Sequence, residues 1–265
     1  MGVHALYSGA TGMNAQMKQL EVTANNVANL STQGFKRDRV NFADLFYRHQ
    51  HLVGATGPNG TVRPTGVHLG NGVEVVSTQK LFEAGGTVMT DNPLDVAIQG
   101  PENVFFKVRT PDGQEAFTRA GNFTLNEEGT MITPGGDTLL PEITLPQQYF
   151  SLNIARDGQV SVIENLGDDP TELGRITLSR FINPGGLRPM GKNLFAATPA
   201  AGAEQLIEPG SAGNGTLMQG AVEASNVNAI AELIQMIQGQ RAYEVNSNVV
   251  ETADEAMQIA NNLRG

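Results

Sequence analysis

Apolar positions recur at intervals of three and four along the start of the chain: Val3, Leu6, Ala10, Met13, Met17, Leu20, Ala24 and Val27. The spacing predicts one helix with a narrow coiled-coil-like seam, about 37 Å long at about 1.5 Å per residue. Between Met1 and Leu30 the formally charged side chains are Lys18 and Glu21, and the rest of the surface is Ser, Thr, Gly, Gln and Asn. A solvated coiled coil flanks its seam with Glu and Lys, so an uncharged polar surface predicts protein neighbours on several sides.

The helix should close near Asn29, with Gly34 suited to the left-handed residue that ends many helices. Phe35, Val40, Phe42, Leu45, Phe46 and Tyr47 then anchor an extended passage. Residues 48–72, rich in Gly, Thr, Asn and Pro, read as a long connection without regular structure, a kind of segment kept for function or left disordered.

From Gly72 to about Arg180 the apolar period is two, and turn residues become frequent. Asp112-Gly113, Glu128-Gly129, Gly135-Gly136 and Asp157-Gly158 each separate short apolar runs, which predicts hairpins of an antiparallel sheet or barrel. Leu173 to Ile182 is another candidate strand, and residues 183–220 are again rich in Gly and Pro.

The period returns to three and four from about Asn228 to Leu263. One stripe is Ala242, Val245, Val249, Thr252, Ala256, Ile259 and Leu263, and a second is Met236, Tyr243, Val250 and Met257, separated by sevens. Two stripes make a wide apolar face able to meet more than one neighbour. Ser225, Asn226 and Asn228 are candidate caps, with Glu232 near the positive helix end. The expected class is therefore α+β: residues 1–37 and 223–265 form a paired, coiled-coil-like helical domain, 38–72 an extended segment and loop, and 73–222 an inserted antiparallel β-rich domain.

Composition narrows the function. The chain of 265 residues carries 17 basic and 27 acidic residues, a net charge of −10 that argues against nucleic acid as a partner. It has no cysteine, which excludes disulfides and thiolate metal sites. No apolar run reaches the length of a membrane span, and the start lacks the pattern of a cleaved secretory signal. Membrane insertion is not expected, and the chain is expected to be either cytoplasmic or exported by an unconventional route.

Catalytic patterns are weak. His49 and His51 could share one face of a strand and join His68 as metal ligands, but they fall in the loop-like stretch without cysteine. Gly57-Pro58-Asn59-Gly60 and Gly210-Ser211-Ala212-Gly213 lack the strand, helix and Lys-Ser/Thr pair of a phosphate loop. Asp168 and Asp169 beside Pro170 form an acidic turn, and no Gly-x-Ser-x-Gly elbow occurs. No catalytic residue, cofactor or metal is expected.

The two ends carry a resemblance. Ala24-Asn25-Asn26-Val27-Ala28-Asn29 with Ser31-Thr32-Gln33-Gly34-Phe35-Lys36-Arg37 resembles the N-terminal signature of the bacterial flagellar rod and hook proteins. Gln219-Gly220, Val222-Glu223, Ser225-Asn226-Val227-Asn228 and Gln240-Arg241-Ala242-Tyr243-Glu244 resemble the C-terminal one. Interior matches are Asp95-Val96-Ala97-Ile98, Phe117-Thr118-Arg119-Ala120-Gly121-Asn122-Phe123 and Gly191-Lys192-Asn193-Leu194-Phe195. The length and the segment from Pro64 to Val73 are most similar to the distal-rod members, with proximal-rod or hook-type proteins as the alternative inside the family. Pro101-Glu102-Asn103-Val104 departs from the shorter Gly-containing step that the family commonly has before two Phe residues.

The resemblance implies a structural subunit, not an enzyme: many copies form a hollow helical tube, terminal helices inside and β domains outside, exported through the flagellar apparatus without a cleaved signal. It implies as partners other copies of the chain, the neighbouring proximal rod and hook proteins, the surrounding ring proteins of the basal body and the export apparatus. Leu6, Met13, Met17, Leu20 and Val27 are the expected assembly residues of the first helix. Met236, Tyr243, Val245, Val249, Val250, Met257, Ile259 and Leu263 are those of the last. A cell-wall-acting enzyme, the alternative from another class, would need an acid pair that these residues do not supply.

Overall fold

A computed structural model of the chain describes residues 2–51, 53, 65–165, 167, 169–211 and 213–263, with the side chains of residues 2 and 3 left aside. The Gly57-Pro58-Asn59-Gly60 turn, Pro64, Asp168 and the Val3 side chain lie outside the described residues. The chain divides into two units, one formed by Met1–Val27, Asp38–Gln79 and Ala229–Gly265 and the other by Ala28–Arg37 and Lys80–Asn228.

The first unit holds the two long helices, α1 (Gly2–Ala28) and α2 (Ala229–Asn262). They begin and end within a residue or two of the positions expected from the periodicity. Glu232 lies in the first turn of α2, where a carboxylate meets the positive end of the helix dipole.

Strands β1 (Asp38–Asp44), β2 (Arg48–His51), β3 (Val67–Leu69) and β4 (Val73–Lys80) complete this unit. β1 pairs with β4, and bonds from Arg39 to Gln79 and from Asn41 to Ser77 show that they run in opposite directions. Residues 48–72 differ from expectation: they begin and end as the antiparallel ribbon β2–β3. The ribbon is held by backbone pairing and every residue of both strands is exposed, so no apolar alternation announced it.

Among the described residues of the second unit the paired strands run antiparallel, and the largest sheet has nine strands. The four turn pairs each join neighbouring strands, with Gly113, Gly129, Gly136 and Gly158 all at positive φ between 79° and 90°. The strand Val104–Arg109 is buried on both faces, because its alternate side chains enter different cores. Val104, Phe106 and Val108 join a large aliphatic cluster, whereas Phe105 packs with Phe82, Phe117, Phe181 and Phe195. Those rings meet edge to face, Phe117 to Phe181 at 4.8 Å and Phe82 to Phe195 at 5.2 Å, the arrangement favoured by the aromatic quadrupole.

Residues 183–220, rich in Gly and Pro, contain the strands Arg188–Gly191, Leu194–Ala196, Gln205–Ile207 and Thr216–Gln219. Lys192 and Asn193 both adopt positive φ, as a two-residue hairpin turn requires, though neither is glycine. The unusual Pro101–Val104 step is tied down as well, since Arg119 Nη1 donates to the carbonyls of Pro101 and Val104 at 3.1 and 2.8 Å.

Candidate assembly interface

Within the first unit α1 and α2 approach through glycine. A β-carbon on Gly9 would stand 2.7 Å from Val250 Cγ2, one on Gly12 would stand 2.9 Å from Asn246 Nδ2, and one on Gly239 would stand 3.1 Å from Leu20 Cδ2. Farther along, Asn26 Nδ2 donates to Glu232 Oε2 at 3.2 Å. Positions rise along α1 as they fall along α2, so the helices run antiparallel.

The face that α1 turns inward is Gly9, Gly12, Gln16, Gln19, Thr23 and Asn26, all buried or half-buried and spaced by three and four. It carries no large apolar side chain. The uncharged polar surface, which the sequence assigned to neighbouring chains, therefore has α2 of the same chain on this side. Leu6, Met13, Leu20 and Val27 flank this face half-buried, and Met17 is exposed.

On α2 the two predicted stripes separate. Met236, Tyr243, Val250 and Met257 are half-buried, interleaved with Gly239, Asn246 and Ala253. Val245, Val249, Ile259 and Leu263 stay exposed, at 61%, 43%, 61% and 83%. Ala5, Val245, Asn248, Val249, Thr252 and Ala256 line an open, largely apolar groove of about 610 Å³. The glycines were the residues that sequence reasoning missed. Their signal was thermodynamic: glycine inside a helix costs about 1 kcal/mol relative to alanine, which a close approach of backbones offsets.

The signature residues do local work. Asn26 is buried and clips β1, its Oδ1 accepting from the Asp38 N–H and its Nδ2 donating to the Asp38 carbonyl, both at 2.9 Å. Asn29 Oδ1 accepts from Thr32 Oγ1 at 3.0 Å. Asn25, Gln240 and Arg241 are exposed, Arg241 pairing with Glu244 at 3.3 Å.

In the second unit Gly34 (φ 69°) lies so close to the backbone of Ala120 that a β-carbon would fall 2.6 Å from its nitrogen. Phe35 is buried under the Lys80 ammonium, 4.8 Å from the ring centroid. Asn226 accepts from the Arg37 N–H and donates to the carbonyls of Leu81 and Glu83. Ser225 Oγ accepts from the Val227 N–H at 3.3 Å.

Beside these residues lies a buried ionic cluster to which no role had been assigned. Glu223 Oε1 takes the Lys36 ammonium at 2.6 Å and the Gly85 N–H at 2.9 Å, and Oε2 takes Arg119 Nε at 2.7 Å. The three side chains are at most 3% exposed. Burial would raise the Glu223 carboxyl, but Arg119 and then Lys36 together hold it below the ordinary carboxylate value. Burial pushes the Lys36 ammonium down, and one carboxylate shared between two cations only partly offsets that.

Among the described residues no group of three or more His, Cys, Asp or Glu is placed to hold a metal ion, and no helix is long and apolar enough to cross a membrane.

Residues 6–36 match the family described as flagella basal body rod protein, and residues 97–162 the flagellar hook protein FlgE/F/G D1 domain. Residues 218–263 match the C-terminal part of the flagellar basal body rod FlgEFG proteins. The chain is 43% identical over 263 residues to the flagellar basal-body rod protein FlgG of Caulobacter vibrioides, covering 99% of this chain and 100% of the relative. It is 42% identical over 264 residues to FlgG of Borreliella burgdorferi, with 99% of each chain covered. It is 35% identical over 270 residues to FlgG of Bacillus subtilis, again with 99% of each covered.

Proposed function

This chain belongs to the flagellar basal-body rod protein family, and from that premise we propose that it is the structural subunit of the distal rod. Many copies polymerise into a stiff hollow shaft that carries torque from motor to hook. The observation that carries this reading is the separation of the two stripes on α2. The side of α2 that meets α1, with Gly239, Asn246 and Val250, is covered within the chain, and a second apolar stripe is left over. A row such as Val245, Val249, Ile259 and Leu263 costs stability in water and becomes favourable only when another surface covers it.

In the assembled shaft, residues 1–37 and 223–265 form the inner, coiled-coil-like layer. The residues that bear on neighbours there are Leu6, Met13, Met17, Leu20 and Val27 with the exposed stripe of α2. The β-rich unit lies outside, and residues 48–72 brace adjacent copies. The chain leaves the cytoplasm through the flagellar export apparatus, works in the periplasmic rod and meets proximal rod, hook and ring proteins at its borders.

The test is the double substitution Val245→Asp with Val249→Asp. Both side chains are exposed in the single chain, so its far-ultraviolet circular dichroism should not change. Polymerisation should fail, because each copy would bring two unpaired charges into an apolar contact at several kcal/mol apiece. Normal filaments from this variant would sink the assignment of the stripe.

A further inference from the structure

A loop would leave His49 and His68 at no fixed separation, but the ribbon makes them partners in register across β2 and β3. Their rings meet edge to face with centroids 4.6 Å apart, and the two Nδ1 atoms face each other at 2.5 Å. Asp44, Tyr47 and Glu74 line the same open depression as the two imidazoles. We propose that the His49–His68 pair is a chelating site for a borderline first-row divalent cation of the Zn²⁺, Ni²⁺ and Cu²⁺ class, which ties β2 to β3.

Two neutral imidazoles with facing Nδ1 atoms share one position between them. A proton fills it when one ring donates to the other, and a cation fills it when both present lone pairs. The exchange needs one ring to move its proton from Nδ1 to Nε2 and no net deprotonation. Two nitrogens each about 2.0–2.1 Å from a tetrahedral cation stand about 3.3 Å apart, so the rings must part by somewhat under about 1 Å. Both side chains are exposed, and turning them displaces only water.

Imidazole is a borderline ligand that selects Zn²⁺, Ni²⁺ and Cu²⁺ over Mg²⁺ and Ca²⁺. The carboxylates of Asp44 and Glu74 add a field that draws cations, as does the net charge of −10. Asp44 is engaged with the Tyr47 hydroxyl. The neighbouring guanidinium of Arg48 is turned to His4 Nε2, 2.6 Å away. With two protein ligands the remaining coordination positions belong to water, which makes this an open, exchangeable site.

The experiment titrates the untagged full chain with Cu²⁺, read by visible absorbance and electron paramagnetic resonance. One equivalent should bind with two imidazole nitrogens, displaced by Zn²⁺ or Ni²⁺ and not by Mg²⁺. His49→Ala and His68→Ala should each weaken binding by at least about tenfold, since losing a ligand exceeds the cost of losing an outer-shell partner. His4→Ala and His51→Ala should bind as the parent does. Circular dichroism checks that each variant is folded, as expected for exposed positions. Binding that survives both ligand substitutions, that depends on His51 or His4 instead, or that shows a single nitrogen overturns the proposal.

Discussion

Gly9 packs bare against Val250: a β-carbon at position 9 would stand 2.7 Å from Val250 Cγ2 and 3.4 Å from the Asn246 carbonyl oxygen. Gly9→Ala gains about 1 kcal/mol of helix propensity but forces a stiff β-branched side chain off its rotamer, and overpacking of this kind costs about 1–3 kcal/mol. The expected net is a loss of up to about 2 kcal/mol in the helical transition of the monomer. Adding Val250→Ala should recover most of it, and a double variant no better than Gly9→Ala would mean that the contact does not set the helix separation.

Glu223 shares its carboxylate between Lys36 and Arg119, so removing different members of the cluster has different consequences. Glu223→Gln leaves two buried cations together and should destabilise the second unit by about 3–5 kcal/mol. Lys36→Met leaves a neutral Arg119–Glu223 pair, and the Glu83 carbonyl keeps its bond from Asn226, so it should cost less than about 1.5 kcal/mol. Urea unfolding of the two variants checks the order.

The same cluster fixes a pH dependence. The Glu223 carboxyl is lowered in the fold, so the unfolded chain takes up its proton first as pH falls. Its contribution is complete above the ordinary carboxylate value and is lost as pH drops through the folded value. Lys36, lowered by burial, shifts stability only on the alkaline side, where the unfolded chain keeps its proton longer. Melting temperatures between pH 7 and pH 3 should therefore fall more steeply for the parent than for Glu223→Gln, and parallel curves would contradict the assignment.

The helices and the hairpin turns were legible because each rests on a local rule. A stripe at three and four spells a helix, and Asp-Gly between apolar runs spells a tight turn, whatever the remainder of the chain does. The face by which α1 meets α2 was only half legible: Leu20 and Val250 stood in the predicted stripes, but they pack on Gly239 and Gly9, which no apolar periodicity marks. The ribbon β2–β3 gave no pattern, since both of its faces meet water. The signature residue Asn26 could be recognised only by resemblance, because a side chain that clips a distant backbone leaves no periodic trace. Asn226, expected as a helix cap, instead bonds the backbone of Arg37, Leu81 and Glu83.

Asn226 joins three backbone groups: it accepts from the Arg37 N–H at 2.8 Å and donates to Leu81 and Glu83 at 2.8 and 3.1 Å. Asn226→Asp keeps the acceptor but turns a carboxylate toward two carbonyls, and should destabilise by about 2–4 kcal/mol as donors are lost and acceptors face each other. Ser225→Ala removes one bond of 3.3 Å and should cost under about 1 kcal/mol. Equal losses in urea unfolding would show that the clip does not depend on the amide.

The antiparallel register also predicts where assembly will be felt first. Val250 lies beside Gly9 and Asn246 beside Gly12, so α1, which begins at Gly2, runs out near Ala256 of α2. The last turns of α2, through Ile259 to Asn262, extend past it with their apolar groups exposed. An end of this kind opens with little free energy in the single chain, because few contacts hold it. Amide exchange on the monomer should be fast from Met257 onward and slower from Glu232 to Val250. In the polymer the end should become protected as neighbouring copies cover Ile259 and Leu263, by a factor of at least about 10 for each 1.4 kcal/mol that the contact contributes. Exchange from Met257 onward that is as slow in the monomer as in the polymer would remove this end from the interface, and with it the role given to Ile259 and Leu263.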